Sequence, residues 1–211
     1  ISDKTNHGHN INVTFRGSLR EEQQNAMEAF AGHNIGTLSA TTAFGKTVFA
    51  IGMLARRKVN TLILVHNKAL LEQWKERLET FLKIDETIEE LVVKRGRKKN
   101  SSVIGCLYAG KNTLHGIIDL ALIQSCLSDG EAKPFVKDYG MVIVDECHHV
   151  SSVSFEQVLR QVTATYVYGL TATPVRKDGH QPIIFMQCGK IRFTADAKSQ
   201  MENQTFKRLL I

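Results

Sequence analysis

The sequence predicts an α/β fold: a mostly parallel β-sheet with helices on both faces. Three observations carry that prediction. Two apolar runs, Thr61-Leu-Ile-Leu-Val65 and Met141-Val-Ile-Val144, show no polar alternation, which marks strands covered on both faces. Between the strand-like runs, apolar residues fall at helical spacing, as in Leu70, Leu71, Trp74, Leu78 and Phe81. The length, 211 residues, corresponds to one domain plus an appendage at ~150 residues per domain and suffices to bury one sizeable core. Strands alternating with helices build βαβ units, and ligands of such sheets bind beyond the carboxyl ends of the strands.

Residues 1–18 show little periodicity beyond the alternating Ile11-Asn-Val-Thr-Phe15. Residues 20–31 read as a helix with Ala26, Met27 and Phe30 on one face and Ser18 as candidate N-cap. A short apolar strand follows at 35–39. Gly45 and Lys46 then open a second helix that runs through Val48, Ile51, Met53 and Leu54 to Arg57. The buried strand 61–65 leads to a helix over 68–82. The charged stretch 84–101 breaks the pattern and reads as an exposed loop or insertion. Residues 103–108 and 117–123 are strand-like, 141–144 is a buried strand, 155–162 is helical and 166–170 is a strand, with a further candidate at 183–186.

Composition excludes several classes. Apolar residues at 43% and charged residues at 23% exclude a wholly disordered or fibrous chain. The longest run without a charged residue or a histidine, 161–175, is interrupted by threonines, tyrosines and a proline and is shorter than the ~18 residues a membrane helix needs, so no membrane partner is expected. The opening Ile-Ser-Asp-Lys-Thr-Asn-His lacks the apolar core of a signal peptide, and the absence of an initiator Met is the expectation for a processed product or an excised fragment. Cys106, Cys126, Cys147 and Cys188 form no Cys-x-x-Cys pair, which favours reduced thiols in a cytoplasmic protein over a zinc ribbon or disulfide framework. The net charge is +6. Lys94, Arg95, Arg97, Lys98 and Lys99 cluster, but Asp85, Glu86, Glu89 and Glu90 precede them and leave residues 84–102 at +1. A basic chain without a membrane feature leans toward polyanions, nucleic acid foremost.

Two motifs carry chemistry. Ala40-Thr-Thr-Ala-Phe-Gly45-Lys46-Thr47 follows a predicted strand and opens a predicted helix. It fits the phosphate-loop pattern with Ala in place of the first Gly. Backbone N–H groups of such a loop cradle phosphates, Lys46 adds a positive charge, Thr47 offers a hydroxyl to Mg²⁺, and Gly45 permits a geometry a Cβ would obstruct. A chance strand–turn–helix is the bland alternative. Asp145 and Glu146 end the apolar strand 141–144, 99 residues beyond Lys46. Asp145 suits a metal-holding carboxylate and Glu146 a base for an attacking water, whereas a solvated turn is the bland reading. Cys147, His148 and His149 are consecutive, and consecutive residues rarely converge on one metal ion.

Together with the motifs that follow, these residues make the sequence resemble the first RecA-like motor domain of superfamily 2 helicases over residues 19–175. Leu19-Arg20-Glu-Glu-Gln23 looks like the adenine-reading Leu-Arg-x-x-Gln motif. Residues 40–47 match motif I. Val65-His66-Asn67-Lys68 through Gln73-Trp74 looks like motif Ia, and Ala121-Leu-Ile-Gln124-Ser125 resembles a strand end that contacts nucleic acid. Asp145-Glu-Cys-His148 is similar to motif II as a variant of the DEAH box, and Leu170-Thr171-Ala-Thr173-Pro174 to motif III. The branch it resembles is that of DNA-repair helicases and the motor subunits of type III restriction enzymes.

The resemblance implies a RecA-like P-loop NTPase with ATP and Mg²⁺ as cofactors. Arg20, Gln23, Thr42, Ala43, Phe44, Gly45, Lys46 and Thr47 would bind nucleotide, with Thr47 and Asp145 at the metal. Lys46, Asp145 and Glu146 would be catalytic. His148, Thr171 and Thr173 would couple nucleotide state to nucleic-acid grip, and His66, Asn67, Lys68, Gln124 and Ser125 would touch nucleic acid, expected to be double-stranded DNA. Trp74 reads as a helix-face core residue rather than a base-stacking one, and Phe15 as a core residue rather than an adenine platform. The expected organisation is a lead-in over 1–18, the motor domain over 19–175, and over 176–211 the end of that domain and the start of a linker. A second RecA-like domain, with an arginine finger worth ~10³–10⁵ in rate, is expected elsewhere in a longer chain, and a fused or associated nuclease is compatible with the branch. Alone, residues 1–211 are expected to bind ATP and hydrolyse it poorly. Competing readings are another P-loop NTPase, such as a kinase, and a nucleic-acid-binding module with a vestigial nucleotide site.

Overall fold

An eight-stranded sheet organises the computed structural model, which describes residues 5–86, 102–148, 153–172 and 186–195. In chain order its strands are β2 (Ile35–Ala40), β3 (Thr61–Val65), β5 (Ile104–Tyr108), β6 (Lys111–Asn112), β7 (Ile118–Leu122), β10 (Met141–Val144), β11 (Tyr166–Thr171) and β12 (Ile191–Ala195). Across the sheet they lie in the order β12-β2-β11-β10-β3-β7-β5-β6, all parallel except β6. Two small antiparallel pairs flank it: β1 (Val13–Phe15) with β4 (Leu82–Ile84), and β8 (Leu127–Ser128) with β9 (Glu131–Ala132). The helices are α1 (Glu21–Ala31), α2 (Lys46–Arg57), α3 (Lys68–Phe81) and α4 (Val153–Leu159). The parallel α/β architecture expected from the sequence is the one observed.

Both faces of the sheet are buried, which is why its central strands need no polar alternation. Ile63 and Val65 of β3 join a core with Phe30 of α1, Phe49 and Leu54 of α2 and Leu71 and Leu78 of α3. The intervening Leu62 and Leu64 face a second core with Val136, Tyr139, Phe155 and Val158. Fully burying one such aliphatic side chain contributes ~1.5–3 kcal/mol.

The parallel register has one functional consequence. Val144 aligns with Leu64 and Gly169, Val65 with Leu122, and Thr171 with Ser39. The segments after β2, β3, β7 and β10, and the end of β11, therefore emerge along one edge.

Some local expectations are corrected. The N-cap of α1 is Arg20, not Ser18: Leu19 packs on the first core, and Gln23 Oε1 accepts the Arg20 N–H at 2.9 Å. Leu82–Ile84 is a strand rather than a helix end and loop, because it pairs with β1 while Phe15 stacks on Phe81 at 6.2 Å. Phe15 thus serves packing, as its core reading had it. Met186 lies in a helical turn, and the edge strand comes later, at Ile191–Ala195. The basic cluster 94–99, His149, Thr173, Pro174 and the candidate strand residues 183–185 lie outside the described residues.

Candidate functional site

The loop after β2 is a single 3-10 turn, Thr42–Phe44, closed by Gly45 at φ +78°. That left-handed conformation is the one a side chain resists, and a Cβ on Gly45 would approach Gln23 Nε2 to 2.9 Å. Gly45 is also the N-cap of α2 and brings no capping side chain. The first-turn N–H groups of α2 have no intrahelical acceptors, so this end is suited to an anion.

The loop is fastened from behind. Arg20 Nη2 donates to the Ala43 carbonyl at 2.9 Å and also to the Phe44 carbonyl, and Gln23 Nε2 donates to Phe44 at 2.8 Å. Gln23 is 3% exposed, and its two amide ends tie the loop to the first turn of α1. Arg20 and Gln23 thus meet the loop carbonyls directly. The sequence pattern alone pointed to a base-reading role and gave no sign of this clamp.

Lys46 opens α2 and its ammonium donates to the Ala40 carbonyl at 3.0 Å, at the end of β2. It is only 7% exposed, and Thr47 beside it is half-buried. Asp145 follows β10 and is 5% exposed. Its Oδ1 accepts the Glu146 N–H at 2.9 Å and its Oδ2 accepts the indole N–H of Trp74 at 2.7 Å. Burial raises the Asp145 carboxyl above its ordinary value of 3.8. The Trp74 bond, the Glu146 N–H and the Lys46 charge oppose that rise, while the Glu146 charge adds to it. Motif residues 99 positions apart therefore share one electrostatic environment.

Glu146 stands at φ +50°, a region few non-glycine residues adopt. Its Oε2 lies 3.1 Å from His148 Nδ1, and the same ring nitrogen lies 3.2 Å from Thr171 Oγ1 at the end of β11. His148 thus bridges the acidic strand end and the neighbouring strand end. Cys147 packs with Cys188 against Gly169; its thiol is held well above the ordinary range by a hydrogen bond with Cys188 and by burial. Both cysteines are buried.

The half of the edge beyond β10 is more open. Asn67 caps α3, its Oδ1 accepting the Leu70 N–H at 2.9 Å, and its amide lies 2.9 Å from His66 Nε2. Lys68 is exposed with its ammonium 5.6 Å from the Tyr108 ring, and Lys111 flanks the same ring at 5.4 Å. Gln124 is exposed on the turn after β7, and the Ser125 carbonyl accepts from Lys133 at 2.8 Å. Tyr108 and Lys111 were not foreseen. A basic–aromatic pairing was their signal, but it arises only when the β5–β6 hairpin folds beside α3. Trp74 is a core residue at 1% exposure, as expected, yet its polar end reaches Asp145, which was also not foreseen.

Residues 16–176 match the family described as "Type III restriction enzyme, res subunit". The chain is 34% identical over 182 residues to the "Putative helicase 109L" of Invertebrate iridescent virus 3, covering 83% of this chain and 51% of that relative. It is 29% identical over 173 residues to the "DNA 3'-5' translocase XPB2" of Sulfurisphaera tokodaii, covering 82% of this chain and 35% of that one. The chain thus spans about half or less of these relatives. Among solved structures, the UvsW helicase from bacteriophage T4 superposes with a TM-score of 0.60 at 17% identity, over 85% of this chain and 61% of that one. At that identity the likeness establishes the fold alone, a RecA-like one.

Proposed function

The chain belongs to the family described as the res subunit of type III restriction enzymes, and from that premise we propose that it is the ATP-binding N-terminal motor domain of a nucleic-acid-dependent ATPase, a helicase or DNA translocase of DNA repair or restriction. One observation carries the reading: Lys46 of the loop and Asp145 of the acidic strand end are both buried at the same edge of the sheet, where the Lys46 charge acts to lower the Asp145 carboxyl. That is an arrangement for a phosphate chain and its cation.

In this reading the backbone of Thr42, Ala43, Phe44 and Gly45, with Lys46 and Thr47, binds the phosphates. Arg20 and Gln23 hold the loop and take the base side. The Thr47 hydroxyl and the Asp145 carboxylate are hard oxygen donors of the kind Mg²⁺ takes, with phosphate and water supplying the rest of its shell. The bound ion would neutralise charge on the phosphates. Glu146 orients the attacking water and accepts its proton. His148 and Thr171, with Thr173 beyond the described residues, relay the nucleotide state. His66, Asn67, Lys68, Gln124 and Ser125 touch the nucleic acid, for which double-stranded DNA is the proposed form; the archaeal relative named above is called a DNA translocase.

The proposed organisation is a lead-in over 1–18, the motor domain over 19–175 and a transition toward a second RecA-like domain over 176–211. That second domain would complete the site in the full-length chain. A nuclease, fused or associated, fits the family's name. No helix among the described residues is long and apolar enough to cross a membrane, and the proposed location is the cytoplasm. A vestigial nucleotide site is not favoured, since Lys46, Asp145 and Glu146 are all present with the chemistry they need.

Lys46→Ala tests the reading. Removing a charge-assisted contact worth ~1.5–3 kcal/mol should weaken ATP binding by ~10–100-fold in calorimetric titration, without unfolding the chain. Equal affinity in both proteins would sink the phosphate-loop assignment.

A further inference from the structure

We propose that Trp74 is a positioning residue of the nucleotide site, its indole N–H fixing the Asp145 carboxylate for a divalent cation. The proposal rests on reading this edge as a nucleotide site. Trp74 sits in α3 on the same buried face as Leu71 and Leu78. A buried indole usually finds an acceptor for its N–H, and a backbone carbonyl would serve a purely structural need. Here the acceptor is a carboxylate 71 residues away, at 2.7 Å, a separation typical of charge-assisted bonds.

The second oxygen of that carboxylate accepts the Glu146 N–H at 2.9 Å. Donors on different oxygens fix both the place and the rotation of the carboxylate plane. Each oxygen has two lone pairs, so each retains one for a cation or for a water of its shell. Asp145 is 5% exposed, so solvent has little access to replace the indole if it is removed. Groups that hydrogen-bond a metal ligand set its orientation, and losing one typically costs ~10–100-fold in metal affinity or activity.

The test is Mg²⁺ titration into the intact protein loaded with a non-hydrolysable ATP analogue, followed by calorimetry. Trp74→Phe removes the donor but also shrinks a buried ring. A second variant therefore carries β-(3-benzothienyl)alanine at position 74, which keeps the bicyclic shape and replaces the N–H with sulfur. Both should raise the Mg²⁺ half-saturation by ~10–100-fold while leaving analogue affinity without metal unchanged. Wild-type Mg²⁺ half-saturation in the benzothienyl protein would overturn the proposal, whatever Trp74→Phe does. Lys46→Ala is run in parallel: if that variant binds the analogue as wild type does, the nucleotide reading itself falls. If it does not, a silent benzothienyl variant counts against Trp74 alone.

Discussion

The two edges of the sheet bury polar groups to a similar depth and use them differently. At the amino edge, Asn60 and Asp119 are 1% and 0% exposed. Asn60 donates to the Gly116 and Asp138 carbonyls and accepts from the His9 and Gly140 N–H groups. Asp119 accepts from the His115 and Gly116 N–H groups and the Tyr139 hydroxyl. Their partners are mostly backbone groups of the loops that enter the strands, so these side chains work as fixed rivets. At the carboxyl edge, Lys46 and Asp145 are nearly as buried, but the Lys46 charge acts on the Asp145 carboxyl and, among the described residues, Lys46 donates to one strand-end carbonyl. A group held by one neutral acceptor can exchange it for a phosphate, whereas a group closed on four sides cannot exchange without unfolding its loops. Burial alone therefore does not mark a site; the kind of partner does.

Three perturbations sharpen the contrast. The largest effect should come from Glu146→Gln, which keeps size and removes the proposed base. ATP should still bind, while turnover of the full-length protein falls by ~10²–10⁴. Unchanged turnover would assign the water to another residue. At the opposite edge, Asn60→Ala should cost on the order of 3 kcal/mol, because it removes four hydrogen bonds at once, one buried and three partly buried. That loss should appear as a lower urea midpoint with ATP affinity intact. A stability change at Glu146 and an affinity change at Asn60 would reverse the contrast and break it.

The third perturbation is smaller and depends on pH. Burial raises the Asp145 carboxyl above 3.8, so the folded chain holds that proton more tightly than the unfolded chain does. Between 3.8 and the raised value the native state binds more protons, and stability falls as pH rises through that window. Asp145→Asn removes the titration. The stability of wild type minus that of the variant should therefore decline across the window and level off above it, as measured by urea unfolding at a series of pH values. A difference that rises with pH would mean the carboxylate is stabilised in the fold rather than strained by it.

How much of this was readable in the sequence depends on range. The loop at 40–47 and the acidic end at 145–146 were legible because each is a short run whose spacing states its chemistry. Their meeting was legible only through the parallel-sheet rule, which sends both to the same edge. The clamp of Arg20 and Gln23 on Ala43 and Phe44 was not, since it joins segments more than twenty residues apart through side chains that read equally well as solvent-facing. Strand β4 was hidden because its partner is the lead-in strand, far away in sequence. Strand β12, Ile-Arg-Phe-Thr-Ala, sits at the sheet margin with Thr194 exposed, and an edge strand does not show the continuous apolar run that gave away β3 and β10. The β8–β9 hairpin did carry a local signal, Asp129-Gly130, both at positive φ as a two-residue hairpin turn requires.

The central proposal is that nucleotide chemistry at β2 and β10 answers to a nucleic acid held at β3 and β7. ATP turnover by the full-length protein, measured with and without double-stranded DNA, tests it most directly. The account predicts a several-fold rise with DNA that disappears in Lys46→Ala. Turnover that is the same with and without DNA would contradict it.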